Sequence, residues 1–566
     1  MRIVFRLFLL IGLTLFAAAR AQPLPVTVTP VIARHGMVVA GHPQAAEAGR
    51  KVLQAGGNAI DAAIATSLAL GVAEPYASGL GGKLMLLYYE SAAGRTYVID
   101  AMDAAGASLD VPAYVKRPAE QHGYGYGAVC VPGLAAGLWM AHARWGARPW
   151  SEDVQPAVAL ALAGFEVLPK SRDFFEEQAK KLHRGDAEIA RLYLPRGQLP
   201  EVGSLLPNPD LAHTLTLLAQ RGRDGFYRGP VAAAIVAAMA KGGGVITAGD
   251  LANYEARLTE PVGIAFRGYR ILSAPPPANG AAMFMPALKA LEDDPFDAGP
   301  LRTARNLDRL GRVWRLVEPE AYRLIADTPE SRSSFEKMVA PGSIQALRAK
   351  AIANALGLSD ATVRAPSSDQ SALAATTHFI VVDAYGNIVC ATQSLSVHFG
   401  AGVVPPGTGV VLNDSMSNFE FTEPTHLNYV AAGRRPRSTI SPTIVFRQGK
   451  PVFALGIPGA ARIPTSTLQV LLDHLVLQRP LAEAIGDTRF HFVIPWKQGE
   501  VETFEAEQSF PAAQANALRA LGWKVVLPEA AGRGRLFSGI NAVELNSDGT
   551  LTGYADPRRT NVADGY

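Results

Sequence analysis

The chain has 566 residues, of which 48% are hydrophobic and 18% are charged. This composition excludes disorder on a large scale, and the length allows one very large layered domain or several smaller cores. The formal net charge is only +3, and the single tight basic cluster is RRPR at 434–437, so the sequence argues against a nucleic-acid partner.

Residues 1–21 have the layout of a secretory signal peptide. Two arginines precede an apolar run from Leu7 to Ala19, and a small-x-small pattern ending at Ala21 marks the expected cleavage site. The run is short for a membrane span, which makes an uncleaved anchor the less favoured alternative. We therefore expect an exported protein, periplasmic or secreted, without membrane attachment after cleavage.

The first block of the mature chain predicts strand, helix, helix and hairpin. A short apolar strand is expected at 35–41, followed by a helix over 42–57 that ends at a Gly-Gly pair. The segment 58–75 is apolar on nearly all sides, which indicates a helix buried on most faces. The segment 76–101 predicts a glycine turn leading into a β-hairpin.

The rest of the chain changes from helical to strand-rich. Residues 130–360 are mostly helical in pattern, with a strand at 266–274 that runs into three prolines. From 376 onward strands dominate, interrupted by two helical stretches. Helices followed by a strand-rich half predict an α+β protein in which both halves share one sandwich of sheets flanked by helices.

The two cysteines, Cys130 and Cys390, both lie in apolar, strand-like contexts. We expect buried small side chains there, although a disulfide between them stays open from sequence alone. The chain has no CxxC or HExxH motif and no histidine cluster. We therefore expect neither a metal nor another cofactor.

Thr376 opens a predicted strand just after a long polar stretch. It is either an ordinary strand threonine or a nucleophile that is hidden until the chain is cut in front of it. In the second case its own α-amino group, with a pKa near 8, serves as the base. Such a site also needs a second hydroxyl, for which Thr392 and Ser394 are candidates, and backbone N–H donors, for which the turn 456–462 is a candidate.

Eight segments in register resemble the gamma-glutamyltranspeptidase family of N-terminal-nucleophile hydrolases, and look like a divergent branch of it. They are 56–82, 131–139, 222–236, 275–280, 376–387, 435–445, 456–463 and 555–566. The resemblance implies a four-layer αββα sandwich made as one precursor. A cut between Ala375 and Thr376 would give fragments 22–375 and 376–566, which remain together as a heterodimer after release of the polar stretch.

The resemblance also implies catalytic roles. Thr376 matches the nucleophile, and Thr392 matches the threonine that orients its hydroxyl, with Ser394 beside it. Gly459 and Ala460 match the oxyanion-hole turn, and Ala460 can supply its N–H provided that its φ is negative. The paired hydroxyl residues of the acyl pocket match Ser438 and Thr439.

The substrate-recognising positions depart from the family. Met102 stands where an arginine grips the α-carboxylate of a γ-glutamyl group, and Asn418 where an acid grips its α-amino group. Ser415 lies three residues before Asn418, and Ser396 replaces an asparagine used near the amino group. Each lost charged contact is worth about 1.5–3 kcal/mol.

Several charged or polar residues near these positions have open roles. Asp100 and Asp103 are expected to be solvated turn residues, and His378 to pack beside the strand rather than act as a base. Lys83 is a weak substrate-binding candidate. A replacement for the missing arginine is sought among Arg434, Arg435 and Arg437.

The sequence thus predicts a self-processing amidohydrolase or acyltransferase with Thr376 as nucleophile and water or an amine as acceptor. The resemblance makes small γ-glutamyl amides such as glutathione the default substrate. The altered pocket keeps open an acylase or amidohydrolase for a different acyl group. A folded, uncut protein that only binds ligands is the rival from another class, and a Ser-His-Asp enzyme is disfavoured because no GxSxG elbow is present.

Overall fold

The structure is a computed structural model that describes residues 26–296, 301–353, 374–495, 501–527 and 537–566. The predicted signal peptide lies outside the described residues, as does most of the polar stretch before Thr376. Within the described ranges, no helix combines the length and apolar character needed to cross a bilayer.

Nineteen strands are present in the described part of the chain. They are β1 Val31–Ala33, β2 Met37–Ala40, β3 Lys83–Glu90, β4 Arg95–Ala101, β5 Phe165–Glu166, β6 Leu205–Leu206, β7 Arg257–Thr259, β8 Val262–Phe266, β9 Tyr269–Ser273, β10 Ala374–Val382, β11 Ile388–Val397, β12 Thr443–Arg447, β13 Lys450–Gly456, β14 Phe490–Val493, β15 Thr503–Ala506, β16 Lys524–Val526, β17 Asn541–Leu545, β18 Leu551–Ala555 and β19 Val562–Gly565.

The same ranges contain nineteen α-helices. They are α1 Pro43–Gln54, α2 Ala59–Ala73, α3 Val111–Tyr114, α4 Leu134–Trp145, α5 Trp150–Ala163, α6 Pro169–Glu177, α7 Ala179–Arg184, α8 Ala187–Tyr193, α9 Pro209–Arg221, α10 Asp224–Tyr227, α11 Gly229–Gly242, α12 Ala248–Ala252, α13 Gly280–Ala290, α14 Ala304–Leu324, α15 Glu330–Met338, α16 Pro341–Ala353, α17 Arg462–Leu471, α18 Leu481–Gly486 and α19 Ala512–Ala520.

Two seven-stranded antiparallel sheets form the centre of the molecule. The first has the order β1-β18-β17-β13-β12-β9-β8, and the second has the order β19-β2-β10-β11-β3-β4-β7. Each sheet contains strands from before and after Thr376. Both halves of the chain therefore build one sandwich, as predicted, and neither half has a complete sheet of its own.

Three apolar cores separate four layers. The middle core lies between the sheets and includes Met85 and Ile380 of the second sheet and Ile444 of the first. A second core packs helices, among them α1 and α2, on the second sheet, and a third packs others, among them α13 and α14, on the first. This arrangement confirms the predicted αββα sandwich.

The helix α2 shows how the sequence sets an outer layer. Asn58 accepts hydrogen bonds from the backbone N–H groups of Ile60 and Asp61, and the Asp61 carboxylate accepts from the N–H of Asn58, which completes a capping box. Every residue of the helix except Gly71 is buried. Its uniformly apolar sequence follows from this position between β10, β11 and other helices.

Candidate active site

The hairpin of β10 and β11 places Thr376 at an irregularity in the second sheet. Ala375 pairs with Ser396 and Thr377 pairs with Gln393, so one residue of β10 faces two residues of β11. This is a β-bulge, a feature that re-aims side chains and is enriched next to active sites. Thr376 is therefore the residue at which the regular ladder is interrupted, directly opposite Ser394.

The hydroxyl of Thr376 lies between two oxygen atoms of its neighbours. Its Oγ1 donates to the carbonyl oxygen of Ala375 at 2.6 Å and lies 3.1 Å from the Oγ of Ser394. Ser394 Oγ also donates to the Ala375 carbonyl oxygen and accepts from the backbone N–H of Ser396 at 2.9 Å. Since Thr376 is only 3% exposed, its hydroxyl is held against the peptide bond that a self-cutting reaction would break.

Thr392, the residue predicted to orient the nucleophile, has a different side-chain partner in the structure. Thr392 faces His378 in the ladder, and its Oγ1 shares a 2.8 Å hydrogen bond with the ring Nδ1. Thr392 lies two residues from Ser394, on the same face of the strand but one pair further from the bulge. Ser394 is the residue that contacts Thr376.

His378 packs inside the sandwich, as expected. Burial lowers its pKa to about 3, so the ring is neutral at ordinary pH. Gly456, the last residue of β13, lies so close that a Cβ atom there would be 2.1 Å from the ring. Only glycine fits at this position, and the contact brings the end of β13 against the strand that carries Thr376.

The turn after β13 carries the two residues predicted to form the oxyanion hole. Gly459 has φ +137° and Ala460 has φ +50°, so the expectation of a negative φ at Ala460 is wrong. Two hydrogen bonds nevertheless hold the conformation of the turn. Thr439 Oγ1 donates to the carbonyl oxygen of Ala460 at 2.8 Å, and the N–H of Arg462 donates to the carbonyl oxygen of Gly459. It leads directly into helix α17.

The other pocket hydroxyl residue, Ser438, is placed by its backbone. Its carbonyl oxygen accepts from the N–H of Asn279 at 2.8 Å, and its own N–H donates to the carbonyl oxygen of Pro277. These bonds tie the segment before β12 to the proline turn after β9. Thr439, by contrast, uses its side chain to hold the 459–460 turn.

Five buried or half-buried polar residues form what we call the Lys83 cluster: Lys83, Asp103, Ser396, Ser415 and Asn418. Lys83 Nζ donates to Ser396 Oγ at 2.5 Å and to Ser415 Oγ at 2.8 Å. Ser415 Oγ donates to Asp103 Oδ2 at 2.5 Å, and Asn418 Nδ2 donates to Ser396 Oγ at 2.9 Å. The structure thus brings the predicted residues Ser396, Ser415 and Asn418 together around a lysine.

The two charged members of the cluster are fully enclosed. Lys83 is 1% exposed and Asp103 is 0% exposed, and their charged atoms lie 3.6 Å apart. Burial raises the pKa of Asp103, while the charge of Lys83 and the hydroxyl of Ser415 act in the opposite direction. The expectation that Asp103 is a solvated turn residue is wrong.

Asp100 is also buried, and it accounts for one of the candidate arginines. Its carboxylate lies 2.6 Å from the guanidinium of Arg435. Arg437 donates to the carbonyl oxygen of Tyr322, and its guanidinium carbon lies 4.5 Å from the centroid of the Tyr322 ring. Arg434 donates to a backbone carbonyl of its own loop. Among the described residues, no hydrogen bond or ion pair joins these three guanidinium groups to the Lys83 cluster, although the charge of Arg435 acts to lower the pKa of Asp103.

Met102 lies in the core between the two sheets and is 0% exposed. Its carbonyl oxygen accepts a 2.5 Å hydrogen bond from the Tyr254 hydroxyl, and its N–H donates to the carboxylate of Asp100. Its neighbour Asp103, rather than Met102 itself, takes part in the polar site.

Arg559 is a site residue that the sequence analysis did not identify. Its guanidinium donates to the carbonyl oxygen of Thr376 at 2.7 Å, although the two residues are 183 positions apart. The residue is buried, and desolvation lowers its pKa while the charge of the buried Glu74 acts in the opposite direction. In the sequence, Arg559 was noticeable only because it lies in the closing segment 555–566, one of the segments that resemble the family, and no role was assigned to it there.

Potential metal ligands meet at one place in the described residues, remote from Thr376 in sequence. Asp61, His142 and Asp153 offer ligand atoms within 4.8 Å of one another. Both carboxylate oxygens of Asp61 accept backbone N–H groups, and Arg148 lies 3.3 Å from Asp153. A guanidinium and helix-capping bonds at these oxygens fit a structural role better than a cation site. Both cysteines are free and buried, as expected.

Comparison with known proteins identifies the family. The family model described as gamma-glutamyltranspeptidase matches residues 45–566. The chain is 36% identical to the acylase ACY 1 proenzyme of Pseudomonas sp. strain SE83, over 93% of this chain and 92% of that protein. It is 33% identical to the glutathione hydrolase proenzyme of Pseudomonas sp. strain A14, over 82% of each chain.

A solved structure shows the same architecture. The crystal structure of cephalosporin acylase from Bacillus halodurans matches with a TM-score of 0.84 and 26% identity, over 97% of this chain and 98% of that chain. The relatives are named as hydrolases and acylases, which confirms the prediction of an amide-bond enzyme of this class. The chain therefore belongs to the gamma-glutamyltranspeptidase family.

Proposed function

We propose that this protein is a self-processing amidohydrolase or acyltransferase with Thr376 as its N-terminal nucleophile. The observation that carries the proposal is the Thr376 hydroxyl, held 2.6 Å from the Ala375 carbonyl oxygen and 3.1 Å from Ser394 Oγ. A hydroxyl fixed beside the preceding peptide bond, at a bulge in a buried sheet, is arranged for attack on that bond.

Self-cutting proceeds in two steps. Thr376 Oγ1 attacks the carbonyl carbon of Ala375, and the C–N bond breaks as its nitrogen takes up a proton, which leaves Ala375 esterified to the hydroxyl. Water then hydrolyses the ester. The products are fragments 22–375 and 376–566 of an exported protein, which stay together because both contribute strands to each sheet.

The new terminus then carries out turnover. The freed α-amino group of Thr376 accepts the hydroxyl proton as Oγ1 attacks a substrate amide. The amine product leaves and an acyl ester forms, which water or an acceptor amine removes. Arg559 keeps the nucleophile in place through the Thr376 carbonyl, and the N–H groups of the 459–460 turn are the proposed donors to the oxyanion.

Two substrate classes are proposed in order. The first is γ-glutamyl amides, the class implied by family membership and by the glutathione hydrolase relatives. The second is amides of another acyl group, as the acylase relatives suggest. Met102 and Asn418 favour the second class because neither side chain supplies the charge that a glutamyl head group requires.

The test is the mass and N-terminal sequence of the purified protein, compared with Thr376→Ala. We expect two fragments from the native sequence, the smaller beginning Thr-Thr-His-Phe, and one inactive, uncut chain from the variant. Thr377→Ala is the matched control and should still be cut. A native chain that remains whole after prolonged incubation at neutral pH would contradict the proposal and favour a ligand-binding role.

A further inference from the structure

Arg559 holds Thr376 from the side that self-cutting does not touch. The hydrogen bond from Thr376 to the Ala375 carbonyl oxygen involves the peptide bond that is cut, whereas Arg559 donates at 2.7 Å to the carbonyl oxygen of Thr376 itself. We propose that Glu74 is a positioning residue for the nucleophile, because its carboxylate is the counter-charge that keeps the Arg559 guanidinium on that carbonyl. The inference rests on the proposed function, since it concerns the nucleophile assigned there.

The Arg559 side chain is enclosed and has few polar partners. It is buried, and its guanidinium carbon lies 4.8 Å from the centroid of the Phe174 ring. Its Nε atom is buried and donates to no described residue. An enclosed cation without a counter-charge is strongly unfavourable, so its place beside Thr376 depends on a nearby anion.

Glu74 is fixed at the end of helix α2. It directly follows the helix, its N–H donates to the Leu70 carbonyl oxygen at 2.8 Å, and its side chain is buried. The hydroxyl of Tyr76 donates to Oε1 of the carboxylate at 3.2 Å. Backbone and side chain are therefore both held, which suits a group that has to keep another side chain in place.

Gly41 brings this carboxylate against the strand of the nucleophile. It follows β2, which pairs with β10. A Cβ atom at Gly41 would lie 2.5 Å from both Glu74 Oε2 and Thr377 Oγ1, so the two oxygen atoms border the same small space. The Gly41 carbonyl oxygen also accepts from Thr560 Oγ1 at 2.5 Å. The end of α2, the nucleophile's strand and the closing segment thus meet at one glycine.

Glu74 and Arg559 interact through their charges, without a direct ion pair between these two described residues. Burial lowers the pKa of Arg559, and the charge of Glu74 is the main influence in the opposite direction. Burial raises the pKa of Glu74, and the charge of Arg559 is the main opposing influence there. Because a guanidinium remains protonated in proteins, an ionised Glu74 balances it. The other titratable side chains that face the pair are Tyr76, Lys170 and Glu177 on α6, and His398 after β11.

Loss of the counter-charge should have two effects on the processed protein. The guanidinium is held less firmly beside the Thr376 carbonyl, which misplaces the nucleophile and lowers kcat. KM should not change, because Glu74 acts on the nucleophile and not on the acyl group. The unbalanced cation also lowers the pKa of the freed α-amino group, since a nearby positive charge disfavours a second one. The charges of the Lys83 cluster, on the neighbouring strand, are the same in every variant.

The experiment measures kcat, KM and the pH dependence of kcat/KM for processed Glu74→Gln. The substrates are γ-L-glutamyl and glutaryl p-nitroanilide, one for each proposed class. We expect kcat to fall by about ten- to a hundredfold with KM within about twofold of the native value. The acidic limb of kcat/KM should move to lower pH by about half a unit to one unit.

Glu318→Gln is the matched control. Glu318 is another buried glutamate, and burial raises its pKa to about 8, but it lies on α14, in the helical layer of the first sheet. Both kinetic constants and the pH profile should stay native in this variant. A native kcat and a native acidic limb in folded, processed Glu74→Gln overturn the inference.

A double-mutant cycle tests whether Glu74 acts through Arg559. Glu74→Gln combined with Arg559→Gln should be no slower than Arg559→Gln alone, within about twofold. Losses that simply multiply would overturn the assignment. Where a variant no longer cuts itself completely, the rate of cutting of its precursor replaces kcat in the same comparison. Should Glu74→Gln fail to fold, Tyr76→Phe removes the hydroxyl that holds the carboxylate, and a native kcat in that variant overturns the inference.

Failure of the inference is separable from failure of the proposed function. A native protein that cuts itself and hydrolyses an anilide no faster than Glu74→Gln does retains the function and loses the role of Glu74. A native chain that is never cut contradicts the function itself.

Discussion

Ser394→Ala tests the arrangement of the nucleophile. The change removes the hydroxyl that lies 3.1 Å from Thr376 Oγ1 and that also donates to the Ala375 carbonyl oxygen. Each neutral hydrogen bond contributes about 0.5–1.5 kcal/mol, so two amount to about 1–3 kcal/mol. If both strengthen in the transition state, self-cutting should slow by roughly tenfold to a hundredfold.

The matched control is Thr392→Ala, on the same strand and the same face. This change leaves the Nδ1 of a fully buried His378 without its 2.8 Å partner. We expect a loss of about 1–3 kcal/mol in the free energy of unfolding. The rate of cutting should stay within about twofold of the native rate, because no contact joins this hydroxyl to Thr376.

The assay follows the uncut chain during a chase after cell-free synthesis, by gel and by intact mass. Urea unfolding of the same variants reports stability separately. The assignment of Ser394 fails if Thr392→Ala slows cutting as much as Ser394→Ala does. It also fails if Ser394→Ala is cut at the native rate.

Two further predictions concern backbone strain and pH. Ala460→Gly should raise the free energy of unfolding, measured by urea denaturation, by about 0.5–1 kcal/mol, because alanine is strained at φ +50°. Ala461→Gly is the control and should lower the free energy of unfolding, because φ is −55° there. A stabilising Ala461→Gly together with a destabilising Ala460→Gly would contradict the strain argument. The contribution of His378 to stability should fall as the pH drops below about 6.5, because the unfolded chain binds a proton at His378 that the folded chain refuses down to about pH 3. Relative to the native protein, His378→Gln should raise the unfolding free energy at pH 5 compared with that at pH 7, whereas the exposed His183→Gln should not, and an equal effect of both would refute the assignment.

The layered fold was predictable because periodicity and order along the chain carry that information. The apolar segment 58–75 could be stable only as a buried helix, and it became α2 with Asn58 as its cap. That both halves contribute to one sandwich of sheets was expected from helices in the first half and strands in the second. Patterns of this kind report burial, which is a property of each segment and its immediate surroundings.

The partner of Thr376 could not be predicted in the same way. Thr377 pairs with Gln393, so the next regular pair places Thr376 opposite Ser394, but the sequence does not reveal this register. The register decides whether Thr392 or Ser394 reaches the nucleophile, and both hydroxyl residues lie on the same face of the strand, so alternation alone does not distinguish them. Similarly, Arg559 reaches Thr376 only because the C-terminal strand returns to the edge of the same sheet.

The Lys83 cluster shows why local sequence patterns did not predict that Lys83 and Asp103 are buried. Asp103 follows Met102 in a segment of small residues that resembles a solvated turn, and Lys83 stands alone among glycines and apolar residues. Each residue taken singly predicts exposure, since an isolated buried charge is unstable. Only their meeting across β3 and the end of β4, with Ser415 between them, makes burial of both charges acceptable.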